Sequence, residues 1–189
     1  MAGTLLAASL LGAAALLGPT LARADPHSGL GLMGGFVAHK GNVQVADGEV
    51  FGFTSSGLDA GVEYQRVLTP EFSLVGFAAG SLESVGGDAS QLYSTAGHGY
   101  LGVQLRYWEG GKFVGAQVGA YSEVLLPKPG AGATQTQASG WGVGVAGGFE
   151  NGNGWFLAGQ VDLAQVAYTN AVHGLTGVRL NIGYRFRQD

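Results

Sequence analysis

Apolar and polar residues alternate with a period of two through most of the chain. The last segment shows it best. Val178, Leu180, Ile182, Tyr184 and Phe186 share one parity, and Arg179, Asn181, Gly183, Arg185 and Arg187 share the other. A period of two puts successive side chains on opposite faces of an extended strand, here one apolar and one polar. The same alternation sets Leu58, Ala60, Val62 and Tyr64 against Asp59, Gly61, Glu63 and Gln65, and Leu101, Val103, Leu105 and Tyr107 against Gly102, Gln104 and Arg106. It recurs over 141–150 and 155–164, and more weakly over 114–121. Two further strands, near Leu30–His39 and Phe72–Leu82, are apolar at both parities, so pattern alone assigns them no face. The count is eight, with ten as the competing count, and Val43–Val45 and Val50–Phe53 read as extensions of the first two strands above the membrane.

The connections alternate as well. Thr69-Pro70-Glu71, Glu109-Gly110-Gly111 and Asn151-Gly152-Asn153-Gly154 are short and rich in turn formers. Between them lie the longer segments Lys40–Ser56, Glu83–Ala96, Ser122–Ala138 and Thr169–His173, which read as loops. Short turns at one end and long loops at the other describe an antiparallel up-and-down transmembrane β-barrel, all-β, with both termini at the short-turn end. Tyr64, Tyr107, Phe149, Trp155, Tyr184 and Phe186 carry the apolar parity beside short turns or the C-terminus. They predict an aromatic girdle at one membrane interface. Trp108 and Phe113 flank a turn without that parity, and Trp141 is the clearest aromatic at the other end.

Composition agrees with a lipid-facing exterior. Of 189 residues, 36 are glycine, 46% are apolar and only 12% are charged, about half the charged fraction of an ordinary soluble domain. There is no cysteine, so disulfides and thiolate metal sites are excluded. The formal net charge of −4, without a basic cluster, argues against nucleic acid as a partner. Leu5–Leu17 is a short apolar run, Gly18-Pro19 breaks it, and Ala22-Arg23-Ala24 offers small residues where a signal peptidase cuts. Residues 1–24 therefore read as a secretory signal and 25–189 as the barrel domain. No later stretch is long and apolar enough for a spanning helix, and a membrane protein without helices must close its sheet. A soluble ligand-binding barrel would need the inverse pattern, with apolar residues inside.

On this architecture, and on the segment Val178-Arg179-Leu180-Asn181-Ile182-Gly183-Tyr184-Arg185-Phe186, the chain resembles the small outer-membrane β-barrels typified by OmpA and OmpX. The likeness covers nearly all of residues 28–187. The resemblance implies residence in the bacterial outer membrane, contact with outer-membrane lipid and lipopolysaccharide, and insertion by the barrel assembly machinery through the C-terminal strand. Arg187-Gln188-Asp189 follow the terminal aromatic Phe186 and depart from the family's usual ending. One fold hosts unrelated activities, so the resemblance bears on fold more than on function.

Eight strands enclose a lumen just wide enough for side chains to fill. The inward parity includes Asp59, Glu63, Glu150 and Asp162 with Arg106, Arg179 and Arg185. Charges at membrane depth must face inward and pair, so these seven are expected to form a polar lumen network, with Asp162 near Arg179 across the last hairpin. The inward glycines of strands five and six leave room for a hydrated cavity on that wall. The expected role is structural or interactive, or that of a very narrow pore. The alternative is a lipid A-modifying enzyme, as some barrels of this kind are. His39, His98, Ser94 and Ser122 are the residues such chemistry would draw on, but no spacing assembles a nucleophile, base and orienting group. No catalytic residue, metal site or cofactor is assigned: His27, His39, His98 and His173 stand far apart in sequence. Asp47, Glu49, Glu83, Asp88 and Glu123 are read as loop acids. Cleavage after Ala24 predicts that the exported protein begins at Asp25; N-terminal sequencing checks this, and a retained Met1 would refute it.

Overall fold

A computed structural model describes residues 28–44, 48–168 and 171–187. The expected leader and its cleavage point, His27, Asp47, Gln188 and Asp189 lie outside the described residues, as do the side chains of His173 and Arg187. Eight strands follow in chain order: β1 Gly29–Gln44, β2 Val50–Val67, β3 Phe72–Gly87, β4 Tyr93–Glu109, β5 Lys112–Pro127, β6 Thr136–Glu150, β7 Trp155–Tyr168 and β8 Ala171–Arg187. Each pairs antiparallel with the next, and β8 pairs back onto β1 from Gly29 opposite Arg187 to Gly41 opposite Leu175. The sheet is thus a closed barrel of eight strands, not ten.

Turn chemistry fixes the registers at the end that holds the termini. Gly110 and Gly111 have φ of 56° and 82°, and two successive positive φ values are what the tightest hairpin with right-handed strand twist requires. In the β6–β7 turn the Asn151 side chain accepts from the backbone N–H of Asn153 at 3.0 Å and of Trp155 at 3.1 Å. Thr69 plays a similar part for Phe72 in the β2–β3 turn.

The exterior follows the period-two pattern. Leu58, Val114, Trp141, Leu163, Leu180 and Ile182 are exposed large apolar residues, with Leu58 at 72%. A soluble barrel with an apolar interior would place these residues inside. On β8 the apolar run extends from Val178 to Phe186. At about 3.3 Å per residue and a tilt near 40°, nine residues span close to the 25 Å apolar band of a membrane barrel. Beyond it, outward positions turn polar: Lys40, Thr54, Ser56, Ser84, Ser122, Ser139 and Thr176. β1 and β3, whose faces the pattern left open, resolve with Leu32, Phe36, Leu74 and Leu82 outside and Val37, Val75 and Phe77 inside.

The expected long loops are mostly strand. Strands of 14 to 18 residues exceed the roughly 9–11 needed to cross, and the surplus lies at the loop end. Lys40–Gln44, Val50–Ser56, Glu83–Gly87, Tyr93–Ala96, Ser122–Pro127 and Thr136–Ala138 are all paired. β8 likewise begins at Ala171, within the segment expected as the fourth loop. The alternation continues there, but the outward residues face water and are polar or small, so the apolar contrast that marks a strand fades. A short 3-10 helix, Asp88–Gln91, bridges β3 and β4.

Inward glycines accommodate large neighbours instead of leaving a cavity. A Cβ on Gly119 would meet the Tyr100 ring, one on Gly142 the Tyr121 ring, and one on Gly148 the Phe113 ring. The hydrated space expected along β5 and β6 is filled by these side chains, the small–large alternation by which small barrels pack.

An arginine at the middle of the apolar band should cost more than one above it. Ile182→Arg is expected to destabilise by about 2–4 kcal/mol, and Thr176→Arg by no more than about 1 kcal/mol. Equilibrium unfolding in lipid vesicles measures both; equal costs would refute the placement of the band.

Candidate functional site inside the barrel

Polar side chains fill the interior in three tiers. The lowest stands over an aromatic floor of Trp108, Phe113 and Phe156, with Trp108 Nε1 donating to Ser73 Oγ at 2.8 Å. Glu63, on the inward parity of β2, receives Arg106 Nη2 at 2.7 Å and also bonds Arg185 Nη2. Arg185 Nη2 is 3.4 Å from Glu150 Oε2. Arg106 also donates to Gln65 at 3.0 Å and lies over the Phe113 ring, 4.4 Å from its centroid. Glu63, Arg106, Glu150 and Arg185 are all buried.

The middle tier continues the same network. Arg106 Nε donates to Gln104, Gln104 Nε2 to Gln117 at 2.6 Å, and Gln117 Nε2 to Asp162. Gln160 also donates to Asp162, at 2.9 Å. Arg179 Nε stands 3.9 Å from Asp162 Oδ2, a loose pair, and its guanidinium lies 4.9 Å from the centroid of Tyr100, which stacks on Tyr121. Asp59 takes no arginine; the amide nitrogen of Asn181, turned toward it, lies 2.8 Å from Oδ1. The seven charged residues expected to face the lumen therefore divide: Arg106 and Arg185 converge on Glu63 with Glu150 joined through Arg185, Arg179 and Asp162 meet loosely, and Asp59 pairs with an amide.

The upper tier joins two histidines, His39 at the end of an expected strand and His98 between the expected loop Glu83–Ala96 and strand four, to Ser55, Glu83 and Glu123 from segments expected as loops. His39, Ser55, Glu83, His98 and Glu123 come one each from β1 to β5, and all are buried. His39 Nδ1 lies 3.0 and 2.9 Å from the two Glu83 oxygens. Ser55 Oγ donates to Glu83 Oε2 at 2.6 Å, and Ser81 Oγ bonds Oε1. His98 Nδ1 is 2.9 Å from Glu83 Oε1, and its Nε2 is 3.0 Å from Glu123 Oε2. The two imidazoles lie 4.2 Å apart, centroid to centroid. His39 and His98, far apart in sequence, are thus neighbours, and Glu83 and Glu123 are interior rather than loop acids. Above them an apolar cluster including Val43, Phe53, Tyr93, Leu125, Val166 and Leu175 caps the lumen.

This tier stands at the upper edge of the apolar band: on its strands the outward residues pass from Ala38 and Leu82 to Lys40, Ser56, Ser84 and Ser122. Burial opposes a charge on His98, but hydrogen bonds and attraction from Glu123 and Glu83 outweigh it and raise its pKa to about 9. Burial also works against a charged Glu83, yet its bonds to His39 and His98 hold the carboxyl well below the usual range. For His39, burial and the adjacent His98 outweigh the bond to Glu83, and its pKa falls. Counting by twos past the assumed strand ends would have found three of these residues, Ser55 being in phase with Asp59 and Glu63. His98 is in phase with Gln104 and Arg106, and Glu123 with Gln117 and Tyr121.

Tyr64, Tyr107, Phe149, Trp155, Tyr184 and Phe186 lie on the outer wall at the short-turn end. Tyr107 meets Phe72 at 5.4 Å, and Tyr184 meets Trp155 at 5.4 Å and Phe186 at 5.1 Å. Phe72, on a strand the pattern could not orient, shares that surface. Trp108 and Phe113 point inward.

Likeness to known proteins bears on the fold. No family model matches the chain. No curated protein matches its sequence. Among solved structures it is similar to Ail, the attachment invasion locus protein of Yersinia pestis, with a TM-score of 0.56 and 10% identity over 84% of this chain and 99% of Ail. The fold is that of a small outer-membrane β-barrel. A second Ail structure, in complex with the heparin analogue sucrose octasulfate, matches equally, at TM-score 0.56 and 11% identity over the same shares of the two chains. Neisserial surface protein A aligns with a TM-score of 0.49 and 11% identity, covering 87% of this chain and all of that one.

Glu63 receives two arginines in a desolvated lumen, so its loss should be expensive. Glu63→Gln is expected to cost about 3–5 kcal/mol by leaving buried cations uncompensated. Denaturant titration of the refolded barrel measures this; a loss under about 1 kcal/mol would mean that water replaces the carboxylate.

Proposed function

We propose that this chain is an integral protein of the bacterial outer membrane whose barrel is a closed, rigid scaffold rather than a conduit. The observation that carries this reading is the filled lumen. An aromatic floor, the Glu63 arginine network, the Asp162 amide chain, the His–Glu tier and an apolar cap follow one another along the axis. Such an interior leaves the protein its outer wall and its strand extensions for work. Those extensions project β1 to β6 and β8 past the apolar band, a rigid platform for contact with other molecules at the cell surface. Lipopolysaccharide and outer-membrane lipid are the wall's neighbours, and β8, with Tyr184 and Phe186 on its outer face, is the strand the barrel assembly machinery would engage.

The sulfated ligand bound by Ail does not carry over readily. Among the described residues the loop end offers Lys40 and Lys128 against Glu49 and Asp88, with no cluster of cations for a polyanion. Nor does the interior favour lipid hydrolysis. Both ring nitrogens of His98 are engaged by carboxylates rather than by a hydroxyl that the ring could activate. Ser55 donates to a carboxylate rather than to an imidazole.

The full chain, refolded in detergent and shown folded by heat-modifiable gel mobility, is expected to give no conductance steps in planar bilayers. Reproducible steps that vanish when the protein is heat-denatured would overturn the closed-scaffold reading.

A further inference from the structure

We propose that His39, Glu83 and His98 form a binding site for one divalent transition-metal ion of the zinc type. Three side chains from β1, β3 and β4 each offer a ligand atom, and these atoms all lie within 4.8 Å of one another. Two imidazoles and a carboxylate are the donor set that zinc and its neighbours favour. Metal–ligand bonds of about 2.0–2.2 Å would need the facing nitrogens and oxygens, now 2.9–3.0 Å apart, to part by only a few tenths of an ångström.

The surroundings have what a metal site needs in its supporting shell. A ligating histidine usually donates its other ring N–H to a carboxylate, which fixes the tautomer and strengthens the donor. Glu123 stands in that position on His98, 3.0 Å from Nε2, while Nδ1 faces Glu83. Ser55 and Ser81 hold the Glu83 oxygens on their other sides. His39 supplies a second observation. It is 3% exposed and its Nε2 has no hydrogen-bond partner. A plain hydrogen-bond cluster gains nothing from that arrangement, whereas a histidine retained for one donor atom tolerates it. The inward Gly177 gives the ring its room: a Cβ there would meet His39 Nε2. The ion would join three strands at the upper edge of the apolar band.

Every ligand is buried, so the ion is expected to enter as the barrel closes. The full chain, without an affinity tag, is refolded in detergent with Co2+ or Zn2+ and then desalted. Folded wild type should retain one ion per chain, and the cobalt form should show the visible absorption of low-coordinate Co2+. Glu83→Gln and His98→Gln should abolish retention, and Glu123→Gln should weaken affinity by about 10–100-fold as a positioning residue. Folding of each variant is checked by heat-modifiable mobility. Folded wild type that holds no ion, or retention undiminished in folded Glu83→Gln and His98→Gln, would overturn the proposal. Neither outcome depends on the scaffold reading, which the bilayer recording tests separately.

Discussion

Hydrocarbon offers no hydrogen-bond partner, so every backbone N–H and C=O in the apolar band must be answered by protein. The β8–β1 pairing is where this chain meets that demand. Gly29–Gly41 and Leu175–Arg187 join sequence-distant ends into one ladder, and without that ladder two strand edges would face lipid. Closure then constrains every other feature of the molecule. The wall has two sides of opposite solvent character, the cylinder has a fixed bore, and every inward side chain must find its place within that bore.

The bore of eight strands explains the interior. Glycine on one strand makes space for an aromatic or amide on the next, as Gly183 does for Phe156 and Gly144 for Gln117 and Asp162. Charges sit where the lumen has low dielectric and little water, so each must be compensated within reach. Glu63 does this for Arg106 and Arg185, while Arg179 leans on the Tyr100–Tyr121 stack as much as on Asp162. Inward side chains from the described strands thus meet one another across the bore, tier upon tier.

The strands outlast the membrane, and this changes what the loop half can do. Above the band the outward residues face water, and the demand for apolar side chains on that face relaxes. At the band's upper edge the interior gathers two histidines and two glutamates beneath an apolar cap, an arrangement that a merely elongated wall does not need.

Local alternation along the chain was enough to identify the barrel, its short-turn end and the faces of six strands. Lipid on one side and a polar lumen on the other impose a period-two contrast that survives in residues such as Leu180 beside Arg179 and Val103 beside Gln104. It left β1 and β3 unoriented, because Val37, Val75 and Phe77 are apolar on the lumen side too. It also lost the strands beyond Ser56, Leu82, Leu101 and Ser122, where the outward residues no longer face lipid. Which inward groups meet is settled by the closed sheet in three dimensions. The stagger of a tilted, closed sheet brings Glu63 to Arg106 and Arg185 and leaves Asp59 to Asn181. The same stagger sets His39 beside His98, because distance across a lumen depends on shear and strand order, neither of which is written in the local alternation of any one strand.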